Sequence, residues 1–303
     1  MNTLVATPAG GVATVAAPTA ATNPRRCPRL NLAITPLVRS DGDVQLGWDP
    51  DRAVLIRPPR GVTGGDLAAL LKRADGTASS AALADAGEAI RLDRRELSDL
   101  LDELAEHGLL SWAGPPQLVD RPAVHVRGRG PLSDAICGAL ALGGVQPTRS
   151  TGRMSIRRGR PPLLVVLADD LVVDPCLVAE LVGARIAHLS VRLRDGVGMV
   201  GPLVLPGRTS CLRCADLHRA DHDAEWPLLA AQLLGRVGHG SAAAVRATAG
   251  IALGQIELLC DGHTLGGPPP RTLDATIEVD HHRARLRRRV WSAHPRCGCG
   301  AHR

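Results

Sequence analysis

PAVHVRGRGPLSDAICGALALGGV, residues 122–145, begins with alternating apolar positions, breaks at a glycine-rich turn and continues as a helix-length run of Ala and Leu. PPLLVVLADD (161–170) follows as a continuous apolar run ending in two acids, the pattern of a parallel strand covered on both faces. A helix from Pro175 to Gly183, a strand around AHLSVRL (187–193) and long helices within 223–260 continue the alternation. Two late strands, TLDATIEVD (272–280) and RARLRRRVW (283–291), complete it. The fold class is α/β, and no internal repeat is visible.

The turn in that first stretch places Gly128 and Gly130 where a dinucleotide fingerprint has its first two glycines, with Ser133 where the third should stand. Two readings are open, a phosphate-binding loop or a turn that lets strand meet helix, and the weak motif favours the second. Phosphate chemistry also wants a compact cation, whereas Lys72, the only lysine, lies upstream of this domain.

Working toward the N-terminus, GPPQLVDRP (114–122) is a Pro-rich linker. Before it, LNLAITPLV (30–38), DVQLGW (43–48) and RAVLIR (52–57) read as a three-stranded meander divided by SDGD and DPD turns. Helix signals follow in DLAALLKRA (66–74), SSAALADAG (79–87) and DRRELSDLLDELAEHG (93–108). In the last, Asp93 and Glu96 form a capping box, Leu97, Leu100, Leu101 and Leu104 share one face, and Gly108 stops the helix. Three strands and three helices in so short a span make a winged-helix-like module. The expected division is an arm over 1–28, this module over 29–114 and the α/β domain over 115–303.

Composition narrows the function classes. The 303 residues are 45% hydrophobic and 22% charged, without Phe or Tyr, so cores must be built from aliphatic side chains. The net charge of +6 would suit nucleic acid, which makes a winged-helix DNA-binding regulator one rival reading. Against it, the helix that would enter the groove carries Asp93, Glu96, Asp99, Asp102, Glu103 and Glu106, all repelled by phosphates, so no nucleic-acid partner is expected. Residues 1–28 lack the basic start of a secretory signal, and SAAAVRATAGIALGQIELLC (241–260) is interrupted by Arg246, Gln255 and Glu257. The expectation is a cytoplasmic protein with no membrane partner.

In a reducing compartment, clustered cysteines more often bind metal than form disulfides. Cys211 and Cys214 stand at a zinc-knuckle spacing, and Cys297 and Cys299 supply a second pair near the C-terminus. Four thiolates would fill a tetrahedral shell, leave no position for water and make the zinc structural. Two unrelated pairs or disulfides are the alternative. Cys27, Cys137, Cys176 and Cys260 are isolated. His218, His222 and His239, with Asp216, Asp221, Asp223 and Glu225, suggest an acid/base site, but without a spacing such as HExxH they read as a polar loop entering a helix.

VGPLVLPGRTSCLRCADLHRADHDAEWPLLAAQL (200–233), together with HPRCGCG, resembles the ThiF-like partner proteins of azoline-forming cyclodehydratases, the bacteriocin biosynthesis or TOMM leader-peptide-binding proteins. The matching features are Gly201-Pro202, Pro206-Gly207, the CxxC, Arg219, Trp226-Pro227 and the terminal HPxCxC. The resemblance implies that the first module is a PqqD-like RiPP recognition element that binds the leader of a ribosomal precursor peptide. A separate YcaO-type enzyme would then use ATP to form the azolines.

In this reading a leader would add to the edge strand Arg52, Ala53, Val54, Leu55, Ile56 and Arg57, with Arg94 and Arg95 on the rim. The chain holds no YcaO domain, and the acidic, Asn/Arg-rich loop of adenylating relatives is absent between Val145 and Pro161. The ThiF-like domain is therefore expected to be a degenerate Rossmann-type scaffold, non-catalytic by itself and without ATP. A second copy of the chain is a further partner to weigh, as a homodimer, and an ATP-dependent adenylating enzyme is the second rival.

Overall fold

The computed structural model describes residues 26–31, 33–113, 123–152, 161–265 and 268–301. Most of the expected arm, the Pro-rich linker and part of the segment between Val145 and Pro161 lie outside the described residues. The chain divides into two compact units, one up to Val119 and one from Asp120 onward.

The first unit contains β1 (Cys27–Leu30), β2 (Pro36–Val38), β3 (Val44–Leu46), β4 (Val54–Ile56), α1 (Gly64–Lys72), α2 (Ser80–Ala89), α3 (Arg94–Glu106) and β5 (Leu110–Ala113). The run 30–38, expected as one strand, is two. Asn31 caps a turn by accepting from the Ala33 N–H, and this separates β1, which pairs antiparallel with β5, from β2. Cys27 and Pro28, assigned by sequence to the arm, belong to β1. Strands β2, β3 and β4 form an antiparallel sheet in that order, which leaves β4 at an edge.

Each helix of this unit begins at a side-chain cap: Thr63 accepts from the Asp66 N–H, Ser79 from Ala82 and Asp93 from Arg95. The four leucines of α3 are buried with Leu67, Leu71 and Leu83 in an aliphatic core.

The second unit contains β6 (Val124–Arg127), α4 (Pro131–Leu142), β7 (Thr148–Ser150), β8 (Leu164–Ala168), α5 (Pro175–Gly183), β9 (His188–Arg194), β10 (Val197–Val204), α6 (Leu212–His222), α7 (Trp226–Leu233), α8 (Ala242–Leu265), β11 (Ala275–Asp280) and β12 (Arg285–Val290). Its seven strands run β12-β11-β10-β9-β8-β6-β7. The pairs from β7 to β9 are parallel and those from β9 to β12 antiparallel, so the sheet is mixed.

One face of this sheet carries α4 and α8 over a core that includes Val126, Val166, Val191, Ala252 and Ile256. Helix α8 passes the length and hydropathy test for a membrane span, but here its Ala244, Ala249, Ala252 and Ile256 are core residues. The opposite face carries α5 and α6 over Val165, Leu167, Leu181 and Val204. The stretch DLHRADHDAEW is largely helix, not loop: α6 continues to His222 because Leu212, Cys214 and Ala215 anchor its inner side.

Candidate metal centre and the closed glycine turn

Helix α6 starts at the knuckle, with Cys211 at its N-cap position and Cys214 one turn inside. The C-terminal segment returns to it. Sγ of Cys211 lies 3.6 Å from Sγ of Cys297 and 3.8 Å from that of Cys214, and Sγ of Cys214 lies 3.6 Å from that of Cys299. All four sulfurs fall within 4.8 Å of one another. A tetrahedral shell with metal–sulfur bonds of about 2.3 Å has sulfurs about 3.75 Å apart, so the four thiols could hold a metal ion.

Their surroundings point the same way. Burial pushes the Cys211 thiol well above its ordinary range and Cys297 up to about 11. At Cys299 burial is outweighed by hydrogen bonds from the Ala301 backbone and neighbouring cysteines, which hold it below its ordinary value. A cation shared by the set would draw the buried pair into the thiolate form. The backbone N–H of His294 donates to Cys214 Sγ at 3.4 Å. His294 Nε2 also meets Asp221 Oδ2 at 2.7 Å, and Arg296 pairs with the same carboxylate, which fastens the last turns of chain to α6.

The glycine turn is filled from within. Asp169, at the end of β8, is fully buried and in the left-handed region (φ 76°). Its carboxylate accepts from the N–H of Gly130 at 2.8 Å, of Leu132 at 2.9 Å and of Ser133 at 3.4 Å. The N-terminus of α4, where a phosphate would otherwise dock, thus already holds an anion. A Cβ on Gly128 would lie 2.5 Å from Asp169 Oδ2, and one on Gly130 2.8 Å from Asp169 Oδ1. The two glycines therefore make room for a side chain of the protein itself. Ser133 Oγ completes the turn by donating to the Gly130 carbonyl, and Arg127 pairs with Asp170 at 2.7 Å beside it.

In the first unit the register of β4 settles which groups face outward. The Gly47 N–H donates to Thr35 and the Arg39 N–H to Asp43, so in the β2–β3 pair Gln45 points its backbone toward β2. Val44 and Leu46 then point theirs toward β4, opposite Ile56 and Val54. This leaves the N–H of Leu55 at the free edge.

Val54 and Ile56 bury their side chains, whereas Arg52 and Arg57 are exposed beside Asp49 and Asp43. Ala53 precedes the strand and bonds back to Asp49. The Arg94 guanidinium is held by Glu88 at 2.6 Å and Asp85 at 2.5 Å, which leaves Arg95 as the unpaired arginine of the two among the described residues.

Sequence reasoning missed a polar row. His188, Ser190, Arg192 and Arg194 alternate along β9, a central strand whose other side is Leu189, Val191 and Leu193. A polar alternation within an α/β core was the available signal. It faces Arg219 of α6, which lies 5.2 Å from the Trp226 ring and 4.8 Å from the Trp291 ring.

No protein-family model and no curated protein matches the chain. Solved structures do. A heterocyclase in complex with substrate and cofactor matches with a TM-score of 0.62 at 18% identity, over 90% of this chain and 39% of that one. The heterocyclase TruD matches with a TM-score of 0.62 at 16% identity, over 91% of this chain and 43% of that one. E. coli MccB with ATP gives a TM-score of 0.54 at 12% identity, over 90% of this chain and 99% of that one. The chain shares their fold. It spans about two fifths of the length of the two heterocyclases.

Proposed function

We propose that the chain is the leader-binding, non-catalytic partner of a YcaO-type cyclodehydratase in the biosynthesis of azoline-containing ribosomal peptides. The observation that carries the reading is the heterocyclase-like fold over 90% of this chain. In this reading capture belongs to this chain and cyclisation to the YcaO-type enzyme. In this reading residues 29–114 are a winged-helix RiPP recognition element, and residues 115–303 are a ThiF-like scaffold with structural zinc on Cys211, Cys214, Cys297 and Cys299.

The leader adds as a strand to β4, with Arg52, Arg57 and Arg95 around it and Arg94 tied back by its own carboxylates. Fluorescence anisotropy of the full chain with a labelled leader, taken from the precursor peptide encoded beside it, tests the reading. Saturable binding is expected, and its loss on substitution at β4 locates the site. A chain that ignores the leader ends the proposal.

MccB, solved with ATP, favours a second reading, an ATP-dependent adenylating enzyme. The carboxylate of Asp169 in the glycine turn opposes it. Titration with Mg-ATP separates the two.

A further inference from the structure

A cavity of about 940 Å³ opens in the second unit between β9, β12, α5 and α6. Five arginines line it, Arg192, Arg194, Arg213, Arg219 and Arg289, against three aspartates. Two of the arginines are already matched: Arg219 donates to Asp216 at 2.7 Å and Arg194 to Glu278 at 3.4 Å. Arg192, Arg213 and Arg289 have no ion-pair partner among the described residues, and Arg192, only 8% exposed, bonds among them to Ser190 Oγ alone. Burial, and then the positive charges of Arg219 and Arg194, push Arg192 down to about 10 despite the opposing charge of Asp216. The indole N–H of Trp226, another lining residue, is buried and has no acceptor among the described residues.

Buried donors without acceptors cost stability, and like charges held together cost more. The cavity therefore offers N–H groups and positive charge to something that brings neither. Apolar side chains line it as well, among them Val173, Val178, Val182, Leu212 and Pro202, beside His218, His222 and three cysteines of the candidate metal centre. The ring faces of Trp226 and Trp291, with Arg219 against both, add flat surface.

We propose that this cavity binds a carboxylate carried on an apolar body, its oxygens held by Arg192, Arg289 and the Trp226 N–H. The forked guanidinium suits a two-oxygen anion, and the aliphatic walls exclude a bare, strongly hydrated one. The carboxylate could come from a free organic acid or from an acidic side chain in an apolar peptide. The site lies wholly in the second unit and stands apart from the leader-binding reading of β4.

Calorimetry on the full chain tests it with two matched pairs: 4-phenylbutyrate against its amide, and N-acetyl-Leu-Glu-Leu-amide against the Gln peptide. Saturable binding of at least one acid, tighter than about 1 mM, is expected with its neutral twin at least tenfold weaker. The acid that binds more tightly identifies the source. Trp226→Phe removes the N–H and keeps an aromatic ring, and Arg289→Gln removes the guanidinium charge from an exposed strand. Each should weaken the acid about tenfold, the loss of one charge-assisted or buried hydrogen bond, while Arg246→Gln on α8 leaves it unchanged. Equal binding of acid and amide, binding of inorganic phosphate alone, no saturable binding, or variants that bind like the parent would each overturn the proposal.

Discussion

Oδ2 of Asp169 sits 2.8 Å from the backbone nitrogen of Gly130, so a side chain from the end of one strand caps the helix that follows another. Replacing it with Ala removes the acceptor for three N–H groups and leaves a residue with a Cβ in the left-handed region. The expected cost is about 3 kcal/mol, from hydrogen bonds to a charged group and the backbone penalty. That corresponds to a fall in Tm of about 10 °C for a unit of this size. Asp169→Asn keeps one acceptor and tolerates the backbone, so it should fall between. Thermal denaturation followed by circular dichroism measures both.

With the same carboxylate in place, Mg-ATP should give no saturable heat with the wild-type chain. Binding tighter than about 100 μM requires several well-placed contacts and would return the adenylating reading to first place.

The four thiols predict one zinc per chain, read by elemental analysis after dialysis. Cys211→Ser and Cys299→Ser should lose it, because a closed shell tolerates no missing sulfur. Cys176, exposed on α5, lies outside the cluster, and Cys176→Ser should keep the metal. Equal metal content in all three variants would remove the assignment.

On β4, neighbouring residues should behave oppositely. Leu55→Pro deletes the outward N–H and should abolish leader binding while the unit stays folded. Val54→Pro deletes an inward ladder donor, leaves its acceptor unpaired at a cost of roughly 1–3 kcal/mol, and should destabilise the first unit. If Leu55→Pro binds the leader like the parent, strand addition at this edge is wrong.

His188 predicts an acid limb in stability. Burial foremost, against one hydrogen bond to the Ile186 carbonyl, pushes its pKa down to about 4. The unfolded ring takes up its proton near pH 6.5, so the unfolded state is favoured first. Stability should be complete above about pH 6.5 and decline as the pH falls toward 4, by up to about 3 kcal/mol from this residue. His188→Leu should flatten that slope in urea titrations between pH 7 and 4.5.

Much of this was legible in the chain. The period of α3 gave its buried leucines, the glycine turn gave strand and helix, and CLRC with CGC gave a cluster that the fold assembles. The break at Asn31 was hidden because an Asx turn inside an apolar run leaves the hydropathy unchanged. The partner of the glycine turn was hidden for a different reason. Asp169 lies far along the chain, and a terminal acid on a strand reads as an exposed end until the neighbouring strand is known. Of the cavity arginines, Arg192 and Arg194 sit on β9 and Arg289 on β12, and only the register from β9 through β10 and β11 to β12 brings them to one face.

The tryptophans give the molecule an unusual optical character. With no Tyr or Phe, its near-ultraviolet absorbance and emission come from four indoles, two in each unit. In the first unit Trp48 is 86% exposed and Trp112 packs against the aliphatic core. In the second, Trp291 is 6% exposed, its N–H fixed to Thr276, and Arg219 lies against it and Trp226. Near-ultraviolet dichroism should therefore be dominated by indoles held in one asymmetric setting. Replacing Trp48 and Trp112 with Leu would leave a chain whose whole aromatic spectrum reports on the second unit alone, without any attached dye.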